Sequence, residues 1–170
     1  MKISDIKIYT PELKDSLNDK QITLIKEINQ SIKDVDSKKY LIKESKEKGK
    51  GLVYSPKSIN ESFSDNIQKS GWNSKRYKFP ENKRSFVEVD FVKDKLGCEF
   101  QFGKYAFAGW DLMKFNIFYQ EKMIDAAVFI CPSKDFHKDM SSGPSNFPQV
   151  KRMWDRQKHY FPVVLLGIGN

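Results

Sequence analysis

The chain of 170 residues predicts one α/β domain spanning 1–170. Three observations carry that prediction. Residues 87–102 alternate apolar and polar positions on both sides of a turn, which is strand patterning. Apolar residues recur at helical spacing before and after that segment. The runs DAAVFICP (125–132) and FPVVLLGIG (161–169) are continuously apolar, as suits strands buried on both faces.

The elements follow in order. Thr10-Pro11-Glu12 has a cap residue, a proline at the first helical position and an acid in the first turn, so it predicts a helix start. Leu13, Leu17, Ile22, Ile25, Ile28 and Ile32 continue its apolar stripe, with a possible break near Asn18. The charged, glycine-containing run KESKEKGKG (43–51) predicts a solvated loop. Ser58 and Glu61 have capping-box spacing for a short helix through Ile59, Phe63 and Ile67, ending near Gly71. The hairpin comes next. FAGWDLMKFNIFYQEKM (107–123) is a helix apolar on nearly every side, with Trp110, Met113 and Ile117 on one stripe and Leu112, Phe115 and Tyr119 on another. Such a helix must be covered all round, so one side is expected on the sheet and the other on a second copy of the chain. After the strand at 125–132 come the loop MSSGPSNFP (140–148), a basic helix QVKRMWDRQK (149–158) and the last strand.

Composition narrows the function. A formal charge of +8 and a pI of about 9.3, carried mostly by lysine, suit an anionic partner, with nucleic acid ahead of a membrane surface. The N-terminus has no apolar leader segment, and no apolar run approaches the ~18 residues of a membrane span, so a cytoplasmic protein is expected. Cys98 and Cys131 lie inside expected strands, far from CxxC spacing, and are expected to be buried free thiols in a reducing compartment. His137 and His159 fit no zinc spacing. Neither a phosphate-binding glycine loop nor GxSxG is present.

The hairpin EVDFVKDKLGCEFQFGK (88–104) holds the chemical lead. Antiparallel partners have a constant sum of positions, so a turn centred on Asp94 and Lys95 sets Asp90 opposite Glu99, Val89 opposite Phe100 and Phe91 opposite Cys98. One face is then apolar and the other acidic. Like charges directly opposite one another are destabilising, and a divalent cation would offset them. For an arbitrary D-x8-E-x-Q, a solvated hairpin face is the commoner meaning.

The order acid, turn, acid-x-polar on a hairpin, followed by a helix, resembles the PD-(D/E)XK nuclease core. VEVDFVKDKLGCEFQFGKYAFAGWDL is similar to the active-site region of type II restriction endonucleases of the BglII and BstYI group, in which glutamine stands where most of the superfamily has lysine. YSPKSIN and SGWN before it, and IDAAVFICP, MSSG and FPVVLLGIG after it, resemble the same group in the same order. The resemblance implies a restriction-endonuclease-like core, a central mixed β-sheet flanked by helices. The chain ends at Asn170 directly after its last strand, so a C-terminal element that contacts DNA in relatives is expected to be absent.

The resemblance also implies roles. Asp90 and Glu99, with the backbone carbonyl of Phe100, would bind Mg²⁺, and Gln101 would orient the attacking water. Glu88 faces the same way, with no role assigned to it. Arg76, Lys78, Lys83, Arg84 and Lys104 flank the hairpin, and Lys151, Arg152 and Arg156 lie on the late helix. Such cations hold DNA phosphates. Lys104 and the loop residues Ser141, Ser142 and Asn146 are expected to reach base edges in the major groove.

The expected function is Mg²⁺-dependent cleavage of double-stranded DNA at a short palindrome containing GATC, by a homodimer in a bacterial or archaeal cytoplasm. The alternatives are a structure-specific nuclease acting in resolution or repair, and a DNA-binding protein without catalysis.

Overall fold

The computed structural model describes residues 1–11, 17–36, 41–43, 52–140 and 144–170. A six-stranded mixed sheet runs in the order β1 (Lys2–Tyr9), β8 (Val163–Gly169), β7 (Ala126–Pro132), β6 (Leu96–Phe100), β5 (Asn82–Lys93), β4 (Asn73–Phe79). The central trio β6, β7 and β8 is parallel, while β1, β5 and β4 pair antiparallel at the flanks. A small two-stranded sheet joins β2 (Leu41–Lys43) to β3 (Leu52–Tyr54).

Alternation along the parallel strands divides the core into two layers. Ala126, Val128, Ile130, Val164, Leu166 and Ile168 face α1 (Asp19–Lys33) and α2 (Pro56–Gln68). Ala127, Phe129, Cys131, Val163 and Leu165 face α3 (Tyr105–Gln120) and α5 (Phe147–Trp154). A short α4 (Lys134–Lys138) adds Phe136 to the first layer. The expected mixed sheet flanked by helices is therefore present, and both cysteines are buried and free. Among the described residues, no helix is long and apolar enough to cross a membrane.

Several local expectations change. Asn18 caps α1 in a capping box with Gln21, so a helix starts at the anticipated break; the start suggested at Thr10-Pro11-Glu12 runs into residues 12–16, outside the described residues. The buried stripe of α1 is Leu24, Ile28 and Ile32, while Ile22 is 41 % exposed. Ser55, not Ser58, caps α2, and Pro56 follows at the first helical position, where its missing N–H costs nothing. α5 begins at Phe147 and ends at Trp154, earlier at both ends than the basic run suggested, because Asn146 and Gln149 form its capping box. All but one residue of the charged run 43–51 lies outside the described residues.

Strands β1 and β4 escape the periodicity argument for physical reasons. In β1 the register slips between Ile3 and Asp5, so the apolar alternation is broken by one residue. β4 reads NSKRYKF and is largely exposed at the sheet edge, where polar residues discourage pairing with other chains. The second slip matters most. Asn73 pairs with Val92 and Lys75 with Val89, leaving Asp90 and Phe91 together opposite Ser74. This two-against-one bulge bends β5 and re-aims its side chains: Val87 and Val89 join the α3 layer, but Phe91 joins the α1 and α2 layer.

Candidate active site

The hairpin register is the one that constant-sum pairing gives: Phe91 with Cys98, Val92 with Gly97 and Lys93 with Leu96. Asp94 and Lys95 both take positive φ, 45° and 64°, as a two-residue hairpin turn of matching twist requires. Pairing ends at Phe91 and Cys98, at the bulge. Beyond it β6 continues along β7, with Gln101 N donating to the Ile130 carbonyl at 2.8 Å. The expected ladder pairs Asp90 with Glu99 and Val89 with Phe100 are therefore absent. Asp90 N instead donates to Glu99 Oε1 at 3.3 Å, and the Asp90 charge acts on the Glu99 carboxyl.

The acids do not share a wet face. Asp90 is exposed, whereas Glu99 is only 1 % exposed, because α3 covers that side of β6. Gly97 permits the close approach: a Cβ there would meet Ile124 and Phe115 side chains at 3.3–3.4 Å. Burial, then the neighbouring Asp90 and Asp111 charges, push the Glu99 carboxyl well above the usual range, against the opposing effect of Lys114.

Lys114 and Asp111 were not anticipated. Lys114 Nζ donates to Glu99 Oε1 at 2.5 Å and lies 2.9 Å from Asp111 Oδ1. Both side chains are buried. Burial raises the Asp111 pKa, with Lys114 opposing. Burial pulls on Lys114 in the other direction, but the Glu99 and Asp111 charges outweigh it and its pKa rises. One signal existed in the sequence: Asp111 and Lys114 are the two charged residues of the sixteen in YAFAGWDLMKFNIFYQ, spaced three apart and hence on one helix face.

Gln101 is tied at both ends of its carboxamide. Nε2 donates to Asp111 Oδ2 at 2.7 Å, and Oε1 accepts from Gly103 N at 2.7 Å. Lys104 is exposed and occupies the N-cap position of α3 without a side-chain cap bond. The Gly103 carbonyl accepts from Ser145 N at 2.9 Å, which fastens the segment before α5 to the end of the β5–β6 hairpin. Asn146 is mostly buried, and its Oδ1 is engaged in capping α5. Ser141 and Ser142 lie outside the described residues. Arg76 bonds Glu88 through Nε and stacks 4.6 Å from the Phe86 ring centroid; Arg84 is exposed near the tip of the β4–β5 hairpin. Its partner Arg76 draws Glu88 below the usual carboxylate range and away from any need for a cation.

A cleft of about 380 Å³ opens beside Asp90, between α2 and the sheet, and Ser74, Ser64 and Asp65 line it. Among the described residues, no group of three or more His, Cys, Asp or Glu side chains could hold a metal. The donor set nevertheless suits a hard divalent cation. Asp90 meets Glu99, the charges of Asp90 and Asp111 both act on the Glu99 carboxyl against that of the Lys114 ammonium, and oxygen ligands are what such an ion takes. Asp90 and Glu99 are the two that could hold it, since both Asp111 oxygens are engaged, Oδ2 by Gln101 and Oδ1 by Lys114, whereas the bonds to Glu99 go to Oε1.

A family model described as restriction endonuclease BglII/BglIII matches residues 14–169. The fold is similar to the crystal structure of restriction endonuclease BglII complexed with a DNA 16-mer, with a TM-score of 0.75 and 22 % identity over 100 % of this chain and 79 % of that one. It is also similar to free BglII, with a TM-score of 0.65 and 20 % identity over 98 % and 80 % of the two chains. No curated protein matches. Because the family match extends over nearly the whole chain and takes in both acids, the glutamine and the sheet that carries them, the chain belongs to the BglII/BglIII restriction endonuclease family and is a type II site-specific deoxyribonuclease.

Proposed function

We propose that the chain is a homodimeric, Mg²⁺-dependent endonuclease that hydrolyses one phosphodiester per subunit at a short palindrome containing GATC. The observation that carries the catalytic half is the meeting of Asp90 and Glu99 where β5 and β6 part. Asp90, Glu99 and the Phe100 carbonyl are the proposed Mg²⁺ ligands. When bound, the ion lowers the pKa of a water and offsets charge on the phosphate. Gln101, being neutral, acts by hydrogen bonding alone, and its role is to orient the attacking water.

Arg76 and Arg84 are assigned to phosphates, and Lys104 with Ser141, Ser142 and Asn146 to base edges. The GATC core is what resemblance to the BglII and BstYI group implies. The dimer rests on α3, whose outward face leaves Phe107, Trp110 and Met113 between 45 and 49 % exposed, three residues apart each time. A groove beside it, lined by Gly109, Met113, Asn116 and Met153, extends that face toward α5. A cytoplasmic setting in a bacterium or archaeon accords with two buried free thiols. Digesting plasmid DNA with protein and Mg²⁺, then sequencing the ends, tests the proposal: discrete fragments with one shared motif support it, and intact DNA overturns it.

A further inference from the structure

We propose that Asp111 and Lys114 are positioning residues for cleavage, a clamp on helix α3 that holds Gln101 and Glu99 in their working orientations. The inference rests on the reading of Glu99 and Gln101 as site residues and goes beyond it, since neither clamp residue belongs to the hairpin.

The geometry is specific. A glutamine amide has two chemically different ends, and its orientation is undetermined unless its partners differ in kind. Here they do. Gly103 N can only donate, so it selects Oε1; the Asp111 carboxylate accepts, so it selects Nε2. The carboxamide has one orientation, with one N–H and one lone pair left free. Gly103 is suited to this contact, because a Cβ there would stand 2.5 Å from Gln101 Oε1.

Lys114 completes the clamp. Its ammonium bridges Asp111 Oδ1 at 2.9 Å and Glu99 Oε1 at 2.5 Å, so a single side chain fixes the acid that anchors Gln101 and the acid that faces Asp90. It brings to the site a buried positive charge that strand β6 itself lacks. Burying such a group is not a route to stability, since well-packed apolar residues commonly serve as well or better. Two charges on the inner face of an otherwise apolar helix are therefore better explained by what they hold than by what they stabilise.

That contrast supplies the test. The double variant Asp111→Leu/Lys114→Met removes both charges of α3 together and leaves Glu99 and Gln101 without their partners on that helix. Four readouts are compared with the natural protein: melting temperature, DNA affinity with Ca²⁺ in place of Mg²⁺, kcat and KM, and the ¹⁵N side-chain amide signals of Gln101. The expected result is a folded protein with a lower melting temperature, because Glu99 loses its ammonium, DNA affinity and KM within about threefold, Gln101 amide signals moved to those of a free glutamine, and kcat lower by ~10²-fold, as a misplaced group costs. A folded double variant with kcat within about threefold of the natural protein overturns the proposal.

Gly103→Ala provides a second route if the double variant does not fold. The atom its methyl meets first is the movable end of Gln101, so the fold is expected to stand while the carboxamide is displaced. Its kcat should fall comparably; an unchanged kcat with displaced Gln101 signals also overturns the clamp. Gln101→Ala is measured alongside. Full activity in that variant removes the role given to Gln101 itself, while the amide signals in the double variant still report separately whether the clamp holds it.

Discussion

Asp90 N donates to the side chain of Glu99, at 3.3 Å, although in a regular hairpin position 90 is a non-hydrogen-bonded one whose N–H turns away from β6. The bulge opposite Ser74 causes this, since two residues of β5 face one of β4 and the strand bends away from β6 after Phe91. The gap holds an exposed acid and a buried one, with a cleft of about 380 Å³ opening beside Asp90.

Asp90→Asn or Glu99→Ala should abolish cleavage, by ~10³-fold or more, since the stabilisation that a bound metal gives to a phosphoryl oxygen amounts to several kcal/mol. DNA binding should persist or tighten, because an acid facing a phosphate is removed. Gel retardation and plasmid digestion on the same preparations check both. Full cleavage by either variant would displace the site.

Gln101→Ala should slow cleavage by ~10²-fold and leave divalent-ion binding measurable by calorimetry, because the amide is assigned to the water and not to the metal. Loss of metal binding would contradict that assignment.

Glu99 also predicts how stability depends on pH. Its folded pKa lies above its unfolded value, so the folded chain binds the extra proton and the associated stability is fully present below the ordinary carboxylate range. That stability is lost as pH rises through the folded value. Melting temperatures across this window, without divalent ions, should decline more steeply for the natural protein than for Glu99→Gln, and Ca²⁺ should flatten the slope. Equal slopes in the two proteins would contradict the account.

The hairpin was legible because register follows from arithmetic once the turn is placed, and Asp94-Lys95 is the turn. The long apolar strands β7 and β8 were equally plain. What periodicity could not supply was the bulge, since one residue's slip leaves an alternating pattern intact to the eye while moving side chains between faces. Glu99 reads as exposed and is buried for a separate reason, because α3 covers that side of β6. The Asp111 and Lys114 pair was hidden differently, inside a helix whose apolar residues drew all the attention. At α2 two start signals competed, and Ser55 followed by Pro56 prevailed over the Ser58 and Glu61 spacing.

The proposed dimer face is tested by Met113→Asp. Met113 is 45 % exposed, so the charge costs little in an isolated subunit but is desolvated in a dimer. Ile117 is a poorer choice than the sequence suggested, because it packs partly against the core and its replacement would also unsettle the fold. Light scattering should give a dimer for the natural protein and a folded monomer for Met113→Asp. A monomeric, fully active natural protein would remove the dimer.

A twofold dimer reads a site with its own symmetry, so each subunit should read one half of a palindrome. Lys104 is the described residue best suited to a base edge: it is exposed, has no side-chain capping bond, and follows Gln101 by three residues just past the end of β6. Lysine reaches guanine O6 and N7, the guanine of a GATC half-site being the natural target. The Ser145 bond to Gly103 ties the segment after Ser142 to that same strand end, which would let recognition by the serine loop and cleavage by the hairpin share one rigid reference. Lys104→Ala should therefore lose about 1–3 kcal/mol of discrimination at the guanine, seen as a roughly 5- to 150-fold rise in cleavage at sites altered there relative to the intact site. Sequencing the ends of digested phage DNA reads both quantities together. Natural-protein cuts clustering at a motif without GATC would defeat the predicted site even if the nuclease proved active, and an unchanged site preference in Lys104→Ala would remove lysine from its reading.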